Sequence, residues 1–520
     1  MSCNGMRRFL ILFLSATALL GLTVSCYKDY STEADHEIPD IVITGVDSVM
    51  HVVYGDEIRI EAQVSQEGRT LDDFLLEWSI DLSANRLSDR IEMGEGLVFS
   101  YKVAHRPSDI PYVIRLDVTD KLTGLVKVAA CRLYVSSAMG EGLLVAYTRD
   151  GGKTSEFDLL ANRYVTYGYD SDEPRYTREL YALANQKTFD EKVNAVLHIV
   201  DSDNASYNEQ RIMVGTENHL HAFDPLTFME TASDGGLFNS SNVSSFGTTA
   251  LFNFSGYQTA AVVDGSMYVI PTLLDRSYSV VAYRQTPSNI FTATNCAASA
   301  MNGSGMAVFD PNKARFYGVV GYNAHQAAFA EIVASFSFPL SGAQSLGAGE
   351  TRGQQIGFLL RDASGGYHVC IIDMSLTTPV VRDFALSGNG LDELVSVAFC
   401  DNCDLMYYAT PRNLYAVITA AGRVSVRQVN WTPDSPDEKI TSIRQYRQAW
   451  YGAHNYFQQD YAFILDTHRL QMVITTYNET TGEGKIYLRP FNVSTGLFTS
   501  KSNGVYGGFG EILAIAPTFS

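Results

Sequence analysis

The chain has 520 residues, of which 46% are hydrophobic, 12% aromatic and 18% charged, an apolar share that excludes wholesale disorder. Lys plus Arg is 38 against 57 Asp plus Glu, and a formal charge of −19 argues against nucleic acid or a polybasic membrane-surface role. Forty-one Gly with 30 Tyr and 27 Phe point to aromatic strands joined by many turns, hence to an all-β protein.

In chain order, the first feature is an address. Arg7 and Arg8 precede an uncharged apolar run from Phe9 to Val24. That run is shorter than the roughly 20 residues that span a bilayer as a helix, and it stands where a signal peptide stands. It ends at Leu22-Thr23-Val24-Ser25-Cys26. A small residue followed by Cys resembles the bacterial lipobox, in which the Cys is acylated and begins the mature chain. Val24 and Ser25 depart from its usual residues, and the alternative is a plain secretory signal with a coincidental Cys. Residues 1–25 are thus expected to be a lipoprotein signal and Cys26 its lipidation site, with anchored acyl chains holding the protein to a membrane. Residues 26–37 are polar and acidic and read as a tether. An acidic stretch behind the lipidated Cys also resembles the signal that sends some lipoproteins to the outer face of the outer membrane.

Residues 38–138 read as a small sandwich. Short β-branched runs at Ile41–Ile43 and Val49–Val53 lead to a Gly55-Asp56 turn, and Glu57 to Val64 then alternates polar with apolar residues. Leu75–Ile80, Leu97–Val103, Tyr112–Thr119 and Leu125–Val135 complete a set of about seven short strands, the pattern of an immunoglobulin-like sandwich. Trp78, in mid-strand, is expected in its core.

Residues 139–520 change to recurring units that pair apolar strands and close on an aromatic, Asp- or Pro-marked edge, such as His221-Ala222-Phe223-Asp224-Pro225. About seven such units can be traced, the last taking in Ile440–Arg444, Ala462–Asp466, Leu470–Thr475 and Lys485–Phe491. Periodic four-stranded units are the signature of a β-propeller. Gly508 to Ala516 is a strand left over, which fits a closure in which the last strand completes the first unit.

A lipobox Cys followed by Tyr27-Lys28-Asp29-Tyr30, an Ile-rich strand, Gly55-Asp56, the Trp78 strand and Asp117-Val118-Thr119-Asp120-Lys121-Leu122-Thr123-Gly124 resembles the PKD-like lipoprotein family. The resemblance covers most of the chain and rests on the order of these motifs. It implies an Ig/PKD-like domain before a propeller-like region, and a place beside an outer-membrane glycan-uptake transporter and its surface lipoproteins. It supplies no catalytic residues.

The residues themselves offer little chemistry. Cys131, Cys296, Cys370, Cys400 and Cys403 are an odd number, so a complete disulfide framework is excluded. Cys400-Asp401-Asn402-Cys403 is a lone CxxC with no second pair for zinc, and it reads as a β-turn, with a local disulfide as an option. Thr148-Arg149-Asp150-Gly151-Gly152-Lys153-Thr154 resembles the Asp-box turn of sialidase propellers without its closing Trp. There Asp150 is expected to accept backbone N–H groups in a turn that two Gly permit. His219-Leu220-His221 would set two imidazoles on one strand face, but no nearby acid triad completes them apart from Asp224, and the stretch reads as a polar surface strand rather than a metal site. No metal or cofactor is expected.

One stretch stands apart. Residues 444–461 place six aromatics, His454 and several amides within 18 residues. Aromatic faces stack on the C–H surface of sugar rings while amides and carboxylates read hydroxyls, so Trp450, Tyr451, His454 and Tyr456 are the candidate ligand-binding residues. Trp431, in Trp431-Thr432-Pro433, is a weaker one. Two functions follow. One is a non-catalytic surface lipoprotein that binds an oligosaccharide or polysaccharide or assists its uptake complex. The other is a propeller-type glycoside hydrolase or lyase, which an acid pair at the central channel would favour.

Overall fold

The computed structural model describes residues 39–81, 90–108, 110–137, 139–200, 210–238, 243–254, 258–270, 284–285, 296–298, 306–323, 326–353, 355–373, 379–419, 423–448 and 464–518. The signal, Cys26 and the tether, together with Trp450, Tyr451, His454 and Tyr456, lie outside the described residues. Among the described residues the chain is all-β, as composition predicts, with one short α-helix at Leu180–Asn185.

It divides into two compact units. The first gathers residues up to Met50, Ile58–Tyr101 and Ile110–Leu133; the second gathers His51–Glu57, Lys102–Asp109 and Tyr134–Ser520. Phe74–Asp81, Arg90–Glu95 and Tyr112–Asp120 belong to a five-stranded sheet whose other strands are Val49–Val53 and Val126–Ser136. Two further pairs join Val42–Thr44 to Gln63–Ser65 and Glu57–Glu61 to Val98–Lys102. Glu57–Glu61 is exposed and buried at alternate residues, as a strand with one covered face must be. Trp78 is buried, stacks on Phe99 at 5.1 Å and donates its indole N–H to the Gly96 carbonyl at 2.8 Å, so both its apolar body and its polar edge are satisfied.

The second unit holds seven four-stranded sheets among the described residues. Six are meanders in chain order, whose first strands are Val193–Val200, Thr248–Phe254, Cys296–Ala298, Gln344–Thr351, Ser396–Phe399 and Glu438–Gln445. The remaining sheet runs Arg175–Thr177, Glu156–Ala161, Gly142–Thr148 and Glu511–Thr518, so its last strand comes from the far end of the unit. Gly142 pairs with Thr518 and Thr148 with Glu511, with one register shift between Ala146 and Tyr147. Val193–Val200 touches both Glu511–Thr518 and Thr248–Phe254; each later first strand touches the next, and Gln471–Asn478 of the last sheet returns to Glu511–Thr518.

Side-chain burial explains this stacking. Gly142–Thr148 is buried at every position, because both of its faces are covered. Leu143, Val145, Phe509, Ile512 and Ile515 form one apolar cluster with Val473, Ile486 and Leu488 of the last sheet. A second cluster joins Leu405, Tyr407 and Ala416 to Ile440, Met472 and Ile474. Each sheet thus buries its faces against its neighbours rather than in one shared centre.

Two expectations are corrected. Asp466 lies in a turn rather than on a strand, and the fourth strand of the last sheet is Val505–Phe509. Gly508 to Ala516 is not one strand either: the chain turns a corner at Gly510 and Glu511–Thr518 crosses to the first sheet. A Cβ on Gly510 would stand 2.0 Å from the Thr148 carbonyl oxygen, so only glycine lets the corner come this close.

Because the first strands run side by side, the unit has two ends. Connections from first to second strands lie at the exit end. Links between sheets, and turns from second to third strands, lie at the entry end.

Candidate functional site

The aromatic stretch is the exit-end connection of the last sheet, between Glu438–Gln445 and Gln471–Asn478. Its core, residues 449–463, lies outside the described residues, but both of its legs are described. They meet at a closed neck. Gln448 donates its backbone N–H to His468 Nδ1 at 2.9 Å and accepts the Leu465 N–H on Oε1 at 3.1 Å. Its amide nitrogen donates to Glu141, whose other oxygen accepts the Tyr167 N–H at 2.9 Å. Tyr446 is buried and donates its hydroxyl to the Val165 carbonyl at 3.2 Å.

Beneath the neck sits a charged cluster. Arg447 reaches Glu350 Oε2 at 2.8 Å and Asp401 Oδ2 at 2.9 Å, while Arg469 Nε donates to Asp401 Oδ1 at 2.6 Å. The carboxylate side chains of Glu350 and Asp401 are each only 2% exposed. Burial opposes the Arg447 charge, but the two carboxylates more than offset it and raise its pKa. Gln445 accepts the Asp401 N–H at 3.0 Å and donates to Asn402 Oδ1 and the Arg469 carbonyl, both at 2.9 Å. Burial, against a smaller opposing effect of Asp401, pushes the pKa of His468 down to about 3, so its imidazole is neutral and its Nδ1 is free to accept.

This cluster positions rather than reacts. A glycosidase needs one carboxyl to donate a proton and another to attack or to activate water. Here both carboxylates beneath the neck are engaged by guanidinium groups. Burial does raise the pKa of Glu141, against hydrogen bonds from Tyr167 and Gln448, and of Asp158, against Arg178, but each already has those partners.

The Cys400–Cys403 turn matters for its middle. Both thiols are free and buried, and burial, with Cys403 alongside, pushes the Cys400 pKa up, which leaves an unreactive thiol. Asp401 and Asn402 between them carry the contacts to Arg447, Arg469 and Gln445. Reading the motif by its cysteines misses this; the signal that could have shown it is the Arg444, Arg447 and Arg469 set around an otherwise aromatic stretch.

The remaining candidates lie apart. Trp431 is half-buried, with its ring edge-on to Tyr487 at 5.1 Å and to Phe498 at 6.2 Å. It precedes Glu438–Gln445 at the entry end, so the structure does not bring it to the neck, which follows that strand. The rings of His219 and His221 lie 5.8 Å apart, each beside its own acid. His219 Nδ1 is 2.6 Å from Asp234, and His221 lies 2.9 Å from Glu230 and 3.3 Å from Glu191. Asp224 instead accepts the N–H groups of Leu226 and Thr227 in its own turn.

The Asp-box-like turn forms as its residues predict. Asp150 Oδ1 accepts the N–H groups of Lys153 at 2.9 Å and Thr154 at 3.0 Å, and Gly151 and Gly152 have φ of 74° and 91°. Those bonds, with the Thr154 hydroxyl, hold its carboxyl well below the usual carboxylate range.

No family model matches this chain, and neither does any curated protein. Among solved structures, a quinonprotein alcohol dehydrogenase-like protein from Bacteroides thetaiotaomicron is similar at 11% identity and a TM-score of 0.47, over 92% of this chain and 99% of that one. Apo AztD from Citrobacter koseri is similar at 10% identity and a TM-score of 0.38, over 86% and 98%. Aleuria aurantia lectin, solved with α-methyl-L-fucoside, is similar at 12% identity and a TM-score of 0.30, over 63% and 96%.

Proposed function

We propose that the chain is a surface lipoprotein, anchored through Cys26 to the outer membrane, that binds glycan without cleaving it and serves an outer-membrane uptake complex. In this reading residues 38–138 are an Ig/PKD-like sandwich and residues 139–520 a seven-bladed β-propeller. The aromatic segment, with Trp450, Tyr451, His454 and Tyr456, is its sugar platform. The observation that carries the reading is the neck at Gln448, which grips both legs of that segment over carboxylates already taken by Arg447 and Arg469. With both carboxylates beneath the neck held by guanidinium groups, that base favours binding over cleavage of a glycosidic bond. The soluble form lacking residues 1–37, run on a glycan array beside a hydrolysis assay on the hits, tests it. Trp450→Ala should weaken binding of those hits by about 1–3 kcal/mol, borrowing the range for bases stacked on aromatics, with the melting temperature unchanged. Turnover of a bound glycan would replace this reading with the hydrolase or lyase.

A further inference from the structure

We infer that the entry end carries a second carbohydrate site, one that takes a single amino-sugar ring in a cleft between the last, first and sixth sheets. The inference rests on the proposed glycan-binding function but not on the aromatic segment. The cleft is open to solvent and offers about 320 Å³, the lower end of ligand-pocket sizes and the scale of one sugar ring rather than a chain. Its wall sets the half-buried Tyr477 beside the accessible Val395 and Pro411, an apolar and aromatic surface for the C–H face of a pyranose. Around that wall stand Thr441, the Lys439–Glu479 ion pair at 2.9 Å, and Glu511.

Two features select the ligand. Among the described residues no hydrogen bond or ion pair reaches the Glu511 carboxylate or the Tyr477 hydroxyl, although both line the cleft. Lys439 is already matched by Glu479, so the cleft's charge balance is negative, in a chain whose own charge is −19. An ammonium group satisfies Glu511, ring hydroxyls satisfy Tyr477 and the rim pair, and a carboxylate-bearing sugar is repelled. The site needs three sheets at once, because Glu511 opens the strand that crosses from the last sheet to the first. It therefore exists only when that crossing is made.

The test is calorimetric titration of the full chain, held in a detergent without a sugar headgroup, with methyl glucosaminide, methyl glucoside and methyl glucuronide. The glucosaminide should bind in the millimolar range, and about tenfold tighter than the glucoside, the size of one charge-assisted hydrogen bond. The glucuronide should not bind. Glu511→Gln, which changes charge and not shape, should erase the preference for the amine. Tyr477→Phe should weaken both binding sugars while leaving the melting temperature unchanged, and Trp450→Ala should leave all three titrations as they were. Absence of glucosaminide binding, or binding indifferent to both Glu511→Gln and Tyr477→Phe, overturns the cleft. Binding lost in Trp450→Ala and kept in Glu511→Gln also overturns it, while leaving the aromatic platform standing. The reverse pattern is the one expected; it supports the cleft and leaves the platform to its own test on the array hits.

Discussion

Asp401 shows how much one carboxylate can organise. It joins Arg447 to Arg469 and so ties the two legs of the aromatic segment to the turn of the neighbouring sheet. Asp401→Ala would leave two guanidinium groups facing each other without their shared counter-charge. Removing one partner from a buried ion pair costs about 3–5 kcal/mol, and the lower end is expected, because the Arg447 side chain is 32% exposed. Urea unfolding measures it, and a loss within the error of the method would show that Asp401 holds nothing. Two histidines give a pH dependence of opposite sign. The hydrogen bond with Asp234, only partly opposed by burial, raises the pKa of His219 above its unfolded value near 6.5. Its contribution is therefore fully present below about pH 6.5 and is lost as pH rises through the folded pKa. His468 is depressed to about 3, so the unfolded chain takes up a proton that the folded chain refuses, and stability falls as pH drops from about 6.5 toward 3. Melting curves from pH 4 to 8 should show an acid limb that His468→Gln flattens and a loss on the alkaline side that His219→Gln removes. None of these partnerships was legible in sequence. The Arg469 partner of Asp401 is 68 residues away, and no local spacing rule reports a contact that only sheet stacking creates.

At the scale of elements, the turns from second to third strands show a repetition that residue identity hides. Thr148, Thr216, Asp310, Asp362, Thr410 and Asn478 each end or follow a second strand and accept backbone N–H groups two to four residues on. Thr, Asp and Asn are chemically interchangeable for this purpose, so the repeat is one of hydrogen-bond acceptors and not of letters. Strands rich in apolar residues, such as Leu405–Ala409, were legible because both faces are covered. Gln344–Thr351 was not, since Ser, Gly, Ala and Gly fill its middle. Its composition answers to its neighbour: Cβ atoms on Gly349 and Gly357 would stand 2.9 Å and 2.2 Å from the Phe399 side chain of the next sheet. Small residues here are the holes that Phe399 fills. Gly357→Ala should therefore destabilise by about 1–3 kcal/mol through overpacking. Adding Phe399→Leu should recover part of that loss, and a double-mutant cycle on thermal unfolding reads the coupling. Additive effects would mean that the two residues do not share space.

For the whole molecule, the closing strand is the feature the sequence announced most clearly, because one apolar strand remained after the seven units were counted. Its start was misplaced by the corner at Gly510, which two flanking apolar runs disguise. Deleting 511–518 removes the strand paired with Gly142–Thr148 and the apolar contacts of Ile512 and Ile515 with the last sheet. Expected is loss of cooperative unfolding and aggregation through the bared edge, seen by calorimetry and light scattering. A truncated chain that stays monomeric and melts cooperatively would show that the closure is dispensable.

That same pairing has a consequence in time. Gly142–Thr148 leaves the ribosome hundreds of residues before Glu511–Thr518, its hydrogen-bonding neighbour. At about 10 residues per second the earlier strand waits on the order of half a minute for its partner. Through that interval a largely apolar strand has one open edge, and no amount of local folding can shorten the wait. Pairing across such a sequence distance also places the unit among slow folders. The strand is thus exposed to mispairing while the residues between the two are made, and a holding chaperone that covers residues 142–148 would act on that hazard.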